Sequence, residues 1–220
     1  FRGRGDNPAD HAAVNTARDD ACRRDASGAA VISIVAALYH ERMALSLGKS
    51  DIAKRIADAA LLRGEFTLRS GRTSSFYLDK YLFSTLPDIL AELGRMFAER
   101  LPPGTTKLAG AELGGIPLVT AASLASGLPS VFIRNQKKEY GTAKQLEGKL
   151  DANDRVVIVE DVATTGGQVL EAAKVVSDTG AKIIMIIATI DRMEGARENI
   201  EKAGYAFDAL FTVKDLGVTA

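Results

Sequence analysis

The chain has 220 residues, 46% hydrophobic and 25% charged, enough to bury one substantial core within a single domain. Its 28 basic and 28 acidic residues cancel, so no global field draws it to nucleic acid or to an anionic membrane, although local basic clusters can still bind phosphates. Cys22 is the only cysteine and both histidines, His11 and His40, precede the enzyme-like region, which excludes internal disulfides and cysteine-based metal sites and argues against a histidine triad or a zinc hydrolase.

Residues 1–42 are expected to form an N-terminal extension and residues 43–220 the folded domain. The first 25 positions are rich in Arg, Asp, Ala and Gly without periodicity, which predicts disorder or partial helix. The apolar stretch from Val31 to Leu38 is short for a secretory core, and acids are mixed into the basic segment before it. The run stops at His40-Glu41-Arg42, short of the roughly 18 apolar residues that a membrane span requires. With the lone cysteine, these features predict a cytoplasmic protein and no membrane association.

From Met43 onward the elements alternate. Ser50 is placed to cap a helix carrying Ile52, Ile56, Ala59 and Ala60 on one face, with Gly64 ending it. Short strands at 66–68 and 76–82 flank Ser70-Gly71-Arg72 as a hairpin. Pro87 opens the next helix, with Ile89, Leu90, Leu93, Met96 and Phe97 inward, and Pro102-Pro103-Gly104 stops it. A strand at 107–111, a helix at 117–127 and a strand at 130–133 follow. After them come a strand at 156–159, a helix at 168–179 and a strand at 182–190. Strands separated by helices predict an α/β fold with a central parallel sheet, flanking helices and right-handed crossovers.

The most informative stretch runs from Val156 to Gln168. Val156-Val157-Ile158-Val159 reads as a strand covered on both faces, and Val169, Ala172, Ala173 and Val176 recur at helical spacing beyond it. Between them stand Glu160-Asp161-Val162-Ala163-Thr164-Thr165-Gly166-Gly167, at a helix N-terminus. Unpaired N–H groups, the positive end of the helix dipole and two threonine hydroxyls favour a phosphate there. Two adjacent carboxylates would repel that phosphate. They suit neutral sugar hydroxyls, or the water shell of a metal. No Gly-Lys-Ser/Thr follows the turn and no Gly-x-Gly-x-x-Gly opens a helix, which argues against Walker and dinucleotide sites.

This run resembles the phosphoribosyl-pyrophosphate (PRPP) signature of the type I phosphoribosyltransferases. Three other segments resemble the orotate phosphoribosyltransferases within that family. Residues 64–79, centred on Leu68-Arg69-Ser70-Gly71-Arg72, look like the N-terminal hood, and Ala111-Glu112-Leu113-Gly114-Gly115 looks like the turn that approaches pyrophosphate. Arg134-Asn135-Gln136-Lys137-Lys138-Glu139-Tyr140-Gly141 resembles the catalytic loop. Asn135, Arg69 and Leu113-Gly114 depart from the usual Lys, Lys and Tyr-Lys, and each departure alters a cation near the diphosphate.

The resemblance implies transfer of ribose 5-phosphate from PRPP to N1 of orotate through an oxocarbenium-like transition state, with Mg2+ as cofactor. It implies Lys138 and Asp161 as catalytic residues. Arg134, Lys138, Tyr140, Glu160, Asp161, Val162, Ala163, Thr164, Thr165, Gly166, Gly167 and Gln168 would bind PRPP. Magnesium would be held mainly through PRPP and water. Thr164 and Arg192 would bind orotate, because a guanidinium at the end of the last long strand can grip its carboxylate in two parallel hydrogen bonds. A homodimer sharing loop 134–148 between subunits is implied too. The alternatives are a purine or uracil enzyme of the same fold, and a PRPP-sensing regulator; the latter lacks any two-helix reading unit or basic stripe for nucleic acid.

Overall fold

The computed structural model describes residues 47–67, 73–136 and 145–218. The extension at 1–42, the hood turn with Arg69, and the loop residues Lys137, Lys138, Tyr140 and Gly141 lie outside the described residues. No helix among the described residues is long and apolar enough to cross a membrane.

Helix α1 (Lys49–Ala60) buries Ile52, Ala53, Ile56 and Ala60 at helical spacing. Gly48 occupies its N-cap position, so Ser50 lies inside the first turn instead of capping it, and the helix ends at Ala60. Gly64 therefore does not end a helix. It lies within β1 (Leu61–Thr67), which pairs antiparallel with β2 (Thr73–Leu78) to form the hood ribbon. The second hood strand stops at Leu78 rather than continuing to 82. Asp79 accepts a hydrogen bond from the Tyr81 N–H, capping the short helix α2 (Lys80–Ser84). Helix α3 (Pro87–Glu99) begins with proline at its first position and buries Ile89, Leu93, Met96 and Phe97.

The central sheet contains β3 (Lys107–Ala111), β4 (Ser130–Ile133), β5 (Leu146–Glu147), β6 (Arg155–Ala163), β7 (Lys182–Asp191) and β8 (Phe207–Thr212), in spatial order β5-β4-β3-β6-β7-β8. All neighbours are parallel except the β4–β5 pair. Helices α4 (Gly115–Ser126), α5 (Gly167–Ser177) and α6 (Ala196–Lys202) complete the order. Alternate residues of β6 feed two separate cores. Val157 and Val159 pack with Ile56, Leu93, Phe97 and Leu118 on one face, whereas Val156 and Ile158 pack with Val169, Val176 and Ile200 on the other. This two-sided burial is why the strand is continuously β-branched.

The connection from β3 leads to β4 on one side, while β6 joins β3 on the other. The crevice at such a reversal, outside the carboxyl ends of the strands, is where open α/β sheets bind ligands. The turns at 112–114 and 164–166 and residue 192 all follow carboxyl ends of these parallel strands.

Candidate active site

The turn after β6 is shaped by α6 as well as by its own glycines. Gly166 is the N-cap of α5 at φ 82°, a left-handed conformation that glycine adopts without steric cost. A Cβ there would lie 3.1 Å from Ile200 Cγ1 and 3.3 Å from the Ala196 carbonyl, so the turn also has no room for a side chain. Asn199 Nδ2 donates to the Thr165 carbonyl at 2.9 Å, holding the turn from behind. The N–H groups of the first turn of α5 have no intrahelical partners and remain for an anion.

A cavity of about 590 Å³ lies over this turn, within the range of small-molecule sites. Glu160, Val162, Ala163, Thr164, Thr165, Gly166, Gly167 and Gln168 line it from the signature segment, and Arg192 from the end of β7. Tyr77, Leu78 and Lys80 line it from the hood side. Asp161 is not on the wall. Neither is Arg134, which follows β4 and lies 3.8 Å from Glu147.

Successive strand residues point to opposite faces, so the two acids diverge. Glu160 is 5% exposed. Burial, and then the neighbouring Asp161 charge, push its carboxyl up to about 8 against the opposing pull of Lys80. Asp161 lies beneath Lys80, whose ammonium is 2.8 Å from Asp161 Oδ2, while the Val162 N–H donates to Oδ1 at 2.5 Å. Gly114 closes the far side; a Cβ at that position would sit 1.7 Å from Oδ2. The departure at position 114 thus makes room for the Asp161 carboxylate.

The raised Glu160 carboxyl has a stability consequence. The folded chain holds this proton more tightly than the unfolded one, so stability is lost as pH rises from the ordinary 4.5 toward about 8. Glu160→Gln is expected to melt above wild type at pH 9, with the gap closing as pH falls to about 4.5. Melting curves across that range check this, and a gap independent of pH contradicts it.

Arg192 is fixed at both ends. Its N–H donates to the Ala163 carbonyl at 2.9 Å, joining the ends of β7 and β6. Its guanidinium lies 4.9 Å from the Phe76 ring centroid, and Nε is 2.9 Å from Glu194 Oε1. Asp191 does not pair with it; that carboxylate accepts from the Met193 N–H. A planar cation stacked on the hood thus faces the same cavity as the phosphate turn.

Residues 86–213 match the phosphoribosyl transferase domain family. The chain is 41% identical over 171 residues to the orotate phosphoribosyltransferase of Natronomonas pharaonis, covering 77% of this chain and 98% of that one. It is 46% identical over 164 residues to the Halobacterium salinarum orotate phosphoribosyltransferase, covering 74% and 93%. The chain belongs to the orotate phosphoribosyltransferase family. Among solved structures, Mycobacterium tuberculosis H37Rv orotate phosphoribosyltransferase in complex with PRPP superposes with a TM-score of 0.66 at 28% identity, over 77% of this chain and 99% of that one.

The described ends of the segment from Arg134 to Gln145 are tied to each other beside the sheet. The Arg134 N–H donates to the Gln145 carbonyl at 2.8 Å, and Gln145 Nε2 donates back to the Arg134 carbonyl at 2.9 Å. The departure at Asn135 is accommodated through its backbone, whose N–H donates to Glu112 Oε1 at 2.7 Å. Lys80, Phe76 and Asn199 are site residues that sequence reasoning did not single out. Only their tertiary contacts with Asp161, Arg192 and Thr165 mark them.

Proposed function

We propose that this chain transfers ribose 5-phosphate from PRPP to N1 of orotate, releasing orotidine 5-monophosphate and pyrophosphate. The observation that carries the proposal is one cavity lined both by the phosphate-binding turn and by the stacked guanidinium of Arg192. The 5-phosphate takes the N–H groups at residues 164–168 and the Thr164 and Thr165 hydroxyls. Glu160, on the wall, takes the ribose hydroxyls, while Asp161 is held off the wall beneath Lys80. Arg192 and Thr164 hold orotate, whose carboxylate distinguishes it from uracil and the purines. The two substrates are thereby aligned for displacement at C1 without a covalent protein intermediate.

Among the described residues, no group of three or more His, Cys, Asp or Glu side chains is arranged to hold a metal ion. Glu160, on the cavity wall, offers a hard oxygen donor that fits a magnesium ion carried by the diphosphate and reached through water, whereas Asp161 is covered by Lys80. When bound, such an ion would supply positive charge to offset the negative charge developing on the departing pyrophosphate. Pyrophosphate release from PRPP and orotate is therefore expected with magnesium and to fall to background in excess chelator. Full turnover in chelator contradicts the magnesium assignment.

Of the loop at 134–148, the part between Arg134 and Gln145 is assigned to the neighbouring subunit of a homodimer, where Lys138, with Arg134 and Tyr140, closes over bound PRPP and excludes water, while residues 146–147 form β5 of this chain's own sheet. Arg134, absent from the wall of its own cavity, supports this arrangement. We place the enzyme in the cytoplasm, a reducing compartment that suits its single cysteine, Cys22.

A further inference from the structure

Two described cations line the cavity, Lys80 and Arg192. PRPP and orotate together bring three anionic groups: a 5-phosphate, a diphosphate and a carboxylate. The helix N-terminus serves the first and Arg192 the last. Lys80 remains for the diphosphate.

The contacts of Lys80 fit that role. Its side chain is 29% exposed, whereas the Asp161 side chain is 4% exposed, so the lysine lies between the acid and the cavity. Asp161 is held by the Val162 N–H and closely approached by Gly114, which leaves it facing Lys80. An ammonium has three donors, and the bond to Asp161 uses one. Burial alone would lower the Lys80 pKa, but the Asp161 charge and hydrogen bond raise it above 10.5, which keeps the ammonium charged.

We infer that Lys80 is a PRPP-binding residue that holds the diphosphate, with buried Asp161 as its anchor. This rests on the PRPP-dependent reading above. It assigns to the start of α2 a contact with PRPP, beside the contact of the hood's Phe76 with the orotate-binding arginine. Asp161 then acts on the ligand through the lysine.

The test compares the full-length wild type with Lys80→Met and Lys80→Arg. Titration calorimetry with magnesium would measure affinity for PRPP, for pyrophosphate and for orotidine 5-monophosphate, which has the ribose and 5-phosphate but no diphosphate. Lys80→Met is expected to bind PRPP and pyrophosphate about tenfold to a hundredfold more weakly, the effect of losing a charge-assisted hydrogen bond. Its affinity for orotidine 5-monophosphate should stay close to wild type, and Lys80→Arg should recover most of the PRPP affinity. A folded Lys80→Met chain with wild-type PRPP affinity overturns the inference. So does equal weakening toward PRPP and orotidine 5-monophosphate, and so does a Lys80→Met chain with no cooperative melting transition, because the pair is then structural. Failure of the wild type itself to bind PRPP would instead overturn the underlying functional reading.

Discussion

Chains carrying Lys138→Ala and Asp161→Asn, each inactive alone, are expected to recover about a quarter of wild-type activity when mixed in equal amounts and allowed to exchange subunits. The expectation follows from the loop acting in trans. A mixed dimer then has one site with both substitutions and one with neither, and random exchange makes about half of the dimers mixed. Asp161→Asn is expected to be inactive because its carboxylate anchors Lys80 at the cavity wall. Lys138→Ala removes the loop cation proposed to stabilise the transition state. The loop's pinned ends, from Arg134 to Gln145 and from Asn135 to Glu112, are untouched by either change. Verified subunit exchange without recovery would place the loop in cis or remove Lys138 from catalysis.

Arg192→Leu is expected to raise the KM for orotate by roughly a hundredfold, the effect of losing a bidentate charge-assisted pair, while leaving the KM for PRPP nearly unchanged. The position is selective because Arg192 touches the hood and Glu194 through its side chain but β6 through its backbone. Replacing the guanidinium therefore keeps the Ala163 hydrogen bond that fixes the end of β7 beside the phosphate turn. Arg192→Lys should recover only part of the loss, since a point charge cannot reproduce the planar fork or its stack on Phe76. Steady-state kinetics with each substrate varied separately distinguish the outcomes. Equal increases in both KM values would show that Arg192 shapes the cavity generally, and an unchanged orotate KM would place the carboxylate elsewhere.

The parts of the site legible in the sequence are those written contiguously. From Val156 to Gln168 the strand, the acids and the turn follow one another, so backbone geometry alone brings Glu160 and residues 162–168 to one wall. Arg192 was legible because it follows a long parallel strand whose end must lie at the same sheet edge. Lys80 and Phe76 were not, because their roles depend on how the hood packs on the core, and a lysine after an aspartate otherwise reads as solvated surface. The fold shows the same division. Buried strands with four β-branched residues were plain, whereas β8 (Phe207–Thr212) went unassigned because its short apolar run includes Asp208 and follows a seven-residue helix. Ser50 looked like a cap because of its residue type, yet the chain enters α1 through Gly48.

The most direct measurement is the base profile of the purified chain: initial rates of pyrophosphate release with PRPP and magnesium, using orotate, uracil, hypoxanthine and adenine at equal concentrations. A carboxylate-binding Arg192 predicts turnover with orotate and rates near background with the other three. Turnover of uracil or a purine at a rate equal to or above that of orotate would contradict it.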